Sequence, residues 1–232
     1  MKRFLLLTGI VLVSACRPAG YPNLLQPGEG CEYASYFGIL ASDEDSLEVR
    51  GVVSVSPGNG ACDTLFMDEP LNSIVCMSSS SVAALSAIGA ESHITGVSGL
   101  KYISDEKIHR MAGEERIFDI GYESSLDYET LVRLSPDLVV AYTVGDSEPP
   151  YLAKLRNLGF RVFIIYDHLE QHPLARAEYV RLFGALTGRL PQADKFFNEV
   201  KDRYLSLCVD TCESPVRVLM NIPYADAWYV PG

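Results

Sequence analysis

The order of short apolar runs and helical segments from Ile74 onward constrains the fold more than any other feature of this 232-residue sequence. Five runs rich in apolar residues predict β-strands, at residues 74–77, 94–97, 117–120, 138–142 and 162–166. Helical spacing and capping residues predict helices among them, at residues 82–88, 127–134 and 150–158, with a polar loop at 78–81. The run at 138–142 is apolar throughout, as in a strand covered on both faces. We therefore predict an α/β fold, a Rossmann-like lobe whose mainly parallel sheet is flanked by helices.

The segments outside this alternation predict further units of the chain. A strand extension at residues 31–73 precedes the predicted α/β lobe at 74–172, and two predicted helices follow it at 173–210. Residues 211–232 begin a new strand, and one strand by itself cannot bury its two faces. We therefore expect the start of a second, similar lobe that is incomplete in this chain.

The N-terminal residues determine the predicted compartment. Two basic residues precede an apolar run at residues 4–13, and small residues then lead to Cys16. This is the pattern of a signal peptide at residues 1–15, and the run is too short to span a bilayer stably. The residues before Cys16 resemble a bacterial lipobox, in which the cysteine is acylated; an ordinary cleavage site with an incidental cysteine is the alternative. Residues 16–30, rich in Pro and Gly, would form a lipidated tether, so the protein is predicted to be exported and membrane-anchored in the cell envelope, in the periplasm.

Charge and motif content exclude several classes of function. The formal net charge is −11, and an acidic chain is a poor match for nucleic acid, whose phosphates require a basic face. The sequence contains no nucleophile elbow, zinc-protease helix motif, phosphate loop or paired-carboxylate motif, so no catalytic residues are predicted. The five cysteines after Cys16 lack metal-binding spacing; a bridge between Cys208 and Cys212 and simple burial both remain open.

Four segments of the sequence carry a resemblance to a known family. They are the segment SSVAALSAIGA at 80–90 with ITGV at 94–97, DIG at 119–121 with DYETLVRLSPDLVV at 127–140, the helix–strand step at 155–165, and the helix entry at 172–193. Together they resemble the cobalamin-, siderophore- and haem-binding proteins of ABC importers. The resemblance implies two α/β lobes joined by a rigid linker helix, here within 173–210. It also implies a ligand held between the lobes by loops at the carboxyl ends of the strands.

Loops at those strand ends supply the candidate ligand-binding residues. Hydroxyls and backbone N–H groups at the start of the first helix could bind polar ligand edges, although helix capping explains them as well. Tyrosines in three successive strand-end loops are suited to lining a site for a flat or chelated ligand, although core packing explains any single one. The candidates are Ser79, Ser80, Tyr102, Tyr122, Tyr142, His168 and, from the second lobe, Trp228.

Glu129 is a candidate for a different kind of contact. In the first turn of the helix at 127–134, its carboxylate complements the helix dipole, which is a sufficient structural reason for it. The resemblance also aligns it with a family glutamate that pairs with arginines of the permease. The expected partners are therefore an ABC permease and, through it, the ATPase subunits, with the binding protein itself a monomer.

Other functions remain open at this stage. A binding protein for bare Zn²⁺ or Mn²⁺ would need His and carboxylate side chains at strand ends. Only His168 occupies such a loop; His93 precedes a strand, His109 lies in a segment predicted to be irregular, and His172 precedes a helix. A chelatase-like enzyme and a non-transport surface lipoprotein are the further alternatives. The favoured expectation is a non-enzyme without a permanent cofactor, whose transported ligand is an iron or cobalt complex.

Overall fold

The computed structural model describes residues 30–41, 49–58, 60–144 and 148–207, and the following structural statements concern those residues. The strands are β1 (Phe37–Ala41), β2 (Val49–Val55), β3 (Cys62–Phe66), β4 (Ile74–Cys76), β5 (Ile94–Val97), β6 (Phe118–Asp119), β7 (Leu138–Tyr142) and β8 (Val162–Ile165). The α-helices are α1 (Ser79–Ala87), α2 (Glu106–Gly113), α3 (Tyr128–Leu134), α4 (Pro150–Asn157), α5 (Pro173–Leu186) and α6 (Leu190–Leu207).

A five-stranded sheet forms the centre of the described lobe. Its strand order is β6-β5-β4-β7-β8, and every neighbouring pair is parallel. The chain moves outward from β4 to β6, returns to the other side of β4 and continues through β7 to β8. The order thus reverses beside β4, which is where open α/β sheets bind ligands, at the carboxyl ends of the strands. The predicted fold class is confirmed.

Alternating side chains of β7 bind the two helical layers to the sheet. Leu138 and Val140 join the hydrophobic cluster that includes side chains of α1 and α5. Val139 and Ala141 join the cluster on the other face, with side chains of α3 and α4. All four side chains are 0–1% exposed, which explains why this strand has no polar residue on either face.

Two helix predictions need correction. The predicted polar loop at residues 78–81 is wrong, because Ser78 is the N-cap of α1 and its hydroxyl accepts the N–H of Ser81 at 3.2 Å. The helix therefore begins at Ser79, one turn earlier than its apolar residues indicate. Helix α2 was not predicted, and it places His109 in a helix rather than in an irregular segment. Asp105 caps α2 by accepting the N–H of Lys107 at 2.8 Å.

The N-terminal extension forms a separate antiparallel sheet with the order β1-β2-β3. It lies beside β8 and α5. The Ser54 hydroxyl donates to the carbonyl oxygen of Ile164, and the Arg161 guanidinium donates to the carbonyl oxygen of Phe66 at 3.1 Å. These contacts attach the extension to the outer strand of the parallel sheet.

Two buried carboxylates hold the start of the extension on α5. Glu178 is 0% exposed and accepts the backbone N–H groups of residues 32, 33 and 34 at 2.7–2.9 Å. Glu170, 2% exposed, accepts those of residues 35 and 36 at 2.9 and 3.0 Å. Arg181 donates to Glu178 at 3.0 Å and to Asp194 of α6 at 2.6 Å. We call residues 32–36 with Glu170 and Glu178 the carboxylate clamp.

Several predictions fall outside the described residues. They concern Cys16, Cys208 and Cys212, the strand expected within 211–232, and Trp228. In the described ranges, Cys31, Cys62 and Cys76 are free thiols. No helix in these ranges has both the length and the apolar character needed to cross a membrane.

Replacing Glu178 by alanine is expected to destabilise the fold. The change leaves three N–H groups and Arg181 without their buried acceptor, which should lower the free energy of unfolding by about 3–5 kcal/mol. Urea denaturation followed by circular dichroism measures this. Glu199→Ala, at an exposed position of α6, is the matched control and should change it by less than about 0.5 kcal/mol. Equal effects of the two substitutions would contradict the role assigned to the clamp.

Candidate ligand-binding site

The carboxyl ends of the parallel strands form one edge of the sheet, and the loops there carry most of the candidate residues. Tyr102 follows β5, Tyr122 follows β6, Tyr142 ends β7, and His168 follows β8. Because all five strands are parallel, these loops meet on the same side of the lobe.

The structure brings these four side chains into one continuous series. The rings of Tyr102 and Tyr122 have their centroids 6.4 Å apart, and those of Tyr142 and His168 are 6.0 Å apart, both edge to face. The Tyr142 side chain also lies close enough to that of Tyr122 to raise its pKa, which joins the two pairs. Tyr122 therefore reaches across the ends of β5 and β4 to contact a residue of β7. We call Tyr102, Tyr122, Tyr142 and His168 the aromatic row.

The aromatic row is open to solvent at one end. Tyr102 is 63% exposed and Tyr122 is 46% exposed, whereas Tyr142 and His168 are half-buried. Neighbouring exposed aromatic rings form a contiguous apolar patch, and such patches on a folded protein often mark a site where a ligand or partner binds.

Asp119 positions the loops that carry the exposed tyrosines. Its carboxylate accepts the N–H groups of Gly99 at 3.1 Å, Leu100 at 3.0 Å and Gly121 at 3.1 Å. One side chain thereby connects the loop after β5 to the loop after β6. Sequence reasoning missed Asp119, although an aspartate that ends a strand just before a glycine turn is a recognisable signal.

Gly99 provides the space that Tyr102 occupies. Its φ is +70°, and a Cβ atom there would lie 2.8 Å from the Tyr102 ring. A residue with a side chain would therefore be strained and would displace the ring.

Tyr122 of the row has a raised pKa. The hydrogen bond with Tyr142, reinforced by the nearby Glu123 carboxylate, raises the pKa of Tyr122 to about 12. Burial, together with Glu123, raises the pKa of Tyr151 on α4 to about 12 as well. Tyr122 therefore offers a neutral aromatic face and a hydroxyl group rather than a phenolate charge.

Ser79 and Ser80 lie in the first turn of α1, just beyond the end of β4, and both are exposed. The capping function belongs to Ser78, whose hydroxyl is 3.0 Å from that of Ser80. The two serines are therefore near the point where the strand order reverses. Their contact with a ligand stays a prediction.

Three of the four histidines have structural partners. His93 lies 2.8 Å from the carbonyl oxygen of Leu71, and His109 lies 2.6 Å from that of Ile103. His172 caps α5 by accepting an N–H at 3.1 Å. The fourth histidine, His168, belongs to the aromatic row and contacts the ring of Tyr142. No three His, Cys, Asp or Glu side chains gather into a possible metal site within the part of the chain that the structure describes.

Glu129 is exposed in the first turn of α3, which begins at Tyr128 and is capped by Asp127. Asp127 accepts the N–H of Thr130 at 2.9 Å, so the capping role is already filled. The carboxylate of Glu129 thus lies on the same edge of the lobe as the aromatic row. Its contact with a permease stays a prediction.

An open parallel sheet with its loops gathered at one edge is the geometry in which α/β proteins bind ligands, and comparison with known proteins specifies the family of this chain. The chain belongs to the periplasmic binding protein family, whose model matches residues 74–232. The N-terminal sheet precedes the matched region.

Individual relatives are more distant. Uncharacterized lipoprotein MJ0878 of Methanocaldococcus jannaschii is 28% identical over 170 residues, which are 70% of this chain and 41% of that protein. Uncharacterized lipoprotein MJ0872 of the same organism is 30% identical over 139 residues, 56% of this chain and 35% of that protein. The chain thus spans less than half the length of these curated relatives.

Among solved structures, the crystal structure of holo-ViuP is similar with a TM-score of 0.50 and 15% sequence identity. The alignment covers 68% of this chain and 52% of that chain. At this identity the similarity shows the shared fold.

Replacing Tyr142 by phenylalanine is expected to lower the pKa of Tyr122. The substitution removes the hydrogen bond that contributes most to the raised value, so the pKa should fall from about 12 toward the usual 10.0. NMR of chain labelled with ¹³C at the tyrosine ζ carbon follows the titration directly. Tyr102→Phe is the control, because that ring touches Tyr122 only edge to face and should leave its pKa unchanged. A Tyr122 pKa that is the same in all three proteins would refute the hydrogen bond.

Proposed function

We propose that this chain is the N-terminal lobe of a substrate-binding lipoprotein of an ABC importer. In this proposal it captures a metal-containing ligand, such as an iron-siderophore, haem or cobalamin, and delivers it to a permease without chemistry. The observation that carries the proposal is the aromatic row, which lies at the carboxyl edge of the parallel sheet in a chain of the periplasmic binding protein family.

The chemistry of the row suits a large chelate or macrocycle. Aromatic rings provide broad, rigid apolar faces, and tyrosine hydroxyls add hydrogen bonds at fixed points. Because the Tyr122 phenol, with its pKa raised to about 12, is neutral near pH 7, binding costs no desolvation of a charged group there. The exposed hydroxyls of Ser79 and Ser80 would add polar contacts near the middle of the same edge.

The arrangement supports the alternatives less well. A site for bare Zn²⁺ or Mn²⁺ needs several nitrogen or carboxylate ligands. The rings of His93, His109 and His172 already make hydrogen bonds with backbone groups elsewhere. A surface lipoprotein without a cleft would be favoured if the tyrosines packed inward, but Tyr102 and Tyr122 are exposed. A chelatase-like enzyme would need a basic histidine in the cleft to accept protons from a tetrapyrrole. Such an enzyme also has no functional need for a lipid anchor.

We further propose that Cys16 carries the lipid and that residues 16–30 connect it to the folded lobe. The signal-like residues before Cys16 support this assignment, and both curated relatives are named lipoproteins. More than one acyl chain is needed for a stable anchor.

Ligand binding is testable by tyrosine and tryptophan fluorescence, with a panel of cobalamin, haem, ferric siderophores and Zn²⁺. We expect one of the iron or cobalt complexes to bind selectively, and Tyr122→Ala to weaken that binding about two- to twelvefold, since a stacked aromatic ring contributes about 0.5–1.5 kcal/mol beyond the area it buries. Corrections for absorption by the coloured ligands are required.

Phe66→Ala is the matched control for that experiment, because Phe66 is 52% exposed but lies in the N-terminal sheet. It should leave the affinity unchanged. Binding of Zn²⁺ alone, or equal losses in both variants, would contradict the proposal.

The docking role of Glu129 is tested by reversing its charge. Glu129→Arg should reduce uptake of the ligand by cells while leaving its affinity for the purified protein unchanged, because an exposed rim charge governs docking to a partner. Glu114→Arg is the control, since Glu114 follows α2 at the opposite edge of the sheet. Normal uptake by Glu129→Arg would exclude this residue from docking.

A further inference from the structure

An open groove lies beside the outer strand of the parallel sheet. It has a volume of about 870 Å³ and is lined by residues of the β2–β3 hairpin, β8, Arg156 of α4 and residues at the ends of β7 and β8. This volume is within the range of small-molecule sites, about 300–1,000 Å³. We call it the side groove. One of its walls, formed by residues within 54–58 and 61–63, precedes the region that matches the family model.

The floor of the side groove is apolar. Val162 and Ile164 are two residues apart on β8, so their side chains lie on the same face of the sheet. Leu169, in the turn after β8, adds a third apolar side chain. Ile164 is only partly buried, which leaves its surface available to an occupant.

Strand pairing directs Asp63 into the same groove. Ser54 is the direct partner of Asp63 in the β2–β3 register, so both side chains are on one face of the hairpin. That face is turned toward β8, because the Ser54 hydroxyl donates to the carbonyl oxygen of Ile164. Asp63 therefore lies opposite the apolar floor.

The charged side chains that line the groove leave an excess of negative charge. Arg156 forms an ion pair with Glu148, and Asp63 is the second carboxylate. Although Asp63 is at the exposed rim, partial burial raises the pKa of its carboxyl, and the charge of Arg156 opposes that shift. A carboxylate that has lost part of its hydration gains most from a cation placed next to it.

The groove opens at the same edge as the aromatic row. Thr143, which lines the groove, directly follows Tyr142 of the row, and Tyr166 lines it two residues before His168. A ligand that rests on the row could therefore extend a flexible arm into the groove.

We propose that the side groove is a binding site for an alkylammonium group, with the alkyl chain on Val162, Ile164 and Leu169 and the ammonium at Asp63. That this group is an arm of the imported ligand rests on the proposed function. The N-terminal sheet then adds specificity to the lobe by selecting ligands that carry such an arm.

Three probes with the same five-carbon chain test the groove by itself. Cadaverine, pentane-1,5-diol and glutarate have cationic, neutral and anionic ends, respectively. In the full-length chain in detergent, NMR of ¹³C-labelled isoleucine methyl groups reports binding through the Ile164 signal, which Ile164→Val identifies. Cadaverine should shift this signal saturably, the diol about two- to fivefold more weakly, as expected for one exposed charge pair, and glutarate not at all.

Substitutions establish whether Asp63 is responsible. Asp63→Asn should weaken cadaverine binding to the level of the diol, whereas Asp68→Asn, in the exposed turn after β3, should not change it. Equal responses to cadaverine and the diol, or unchanged binding in Asp63→Asn, would overturn the site.

A final pair of probes separates the groove from the proposed function. Ferrioxamine B carries a pendant ammonium, and its N-acetyl derivative does not. The arm assignment is supported if ferrioxamine B binds more tightly than its N-acetyl derivative and Asp63→Asn abolishes this difference. Both complexes should shift the Tyr122 ring signal. Equal affinities, with the same ring shift, overturn the arm assignment and leave the proposed function intact. If cadaverine binds but neither iron complex shifts the Tyr122 ring signal, the result supports the groove site and counts against the proposed function for this ligand class.

Discussion

The carboxylate clamp is the interaction on which the N-terminal half of the molecule depends. Two carboxylates with 0–2% exposure would be very costly to bury without donors, and five consecutive backbone N–H groups of residues 32–36 supply them. The arrangement leaves the chain little freedom where it enters the fold. It places the antiparallel sheet against α5 and β8, and so creates the wall of the side groove.

A smaller version of the same arrangement organises the candidate site. Asp119 accepts N–H groups from two strand-end loops, so the backbone that carries Tyr102 and Tyr122 is fixed before any ligand arrives. The interaction of Tyr122 with Tyr142 then connects loops that are three strands apart in the sheet. A site held in this way requires little reorganisation on binding, which favours affinity because less conformational entropy is lost.

Apolar patterning was sufficient to predict the parallel sheet, and β7 has the predicted bounds, because burial on both faces leaves a continuous apolar run. Strand β3 was missed because most of its side chains are exposed, and α1 was predicted too short because its first turn consists of serines. The clamp joins residues at least 134 apart in the sequence, so no local pattern reveals it. Likewise, strand-end position predicted the tyrosines of the row, but neither their mutual contacts nor the role of Asp119.

The central claim is that the aromatic row is the surface on which the ligand rests. A crystal structure of the full-length protein with the tightest ligand of the fluorescence panel tests it most directly. The account predicts the ligand within about 4 Å of the rings of Tyr122 and Tyr142, at the carboxyl edge of the parallel sheet. A ligand bound elsewhere, with the row still open to solvent, would contradict it.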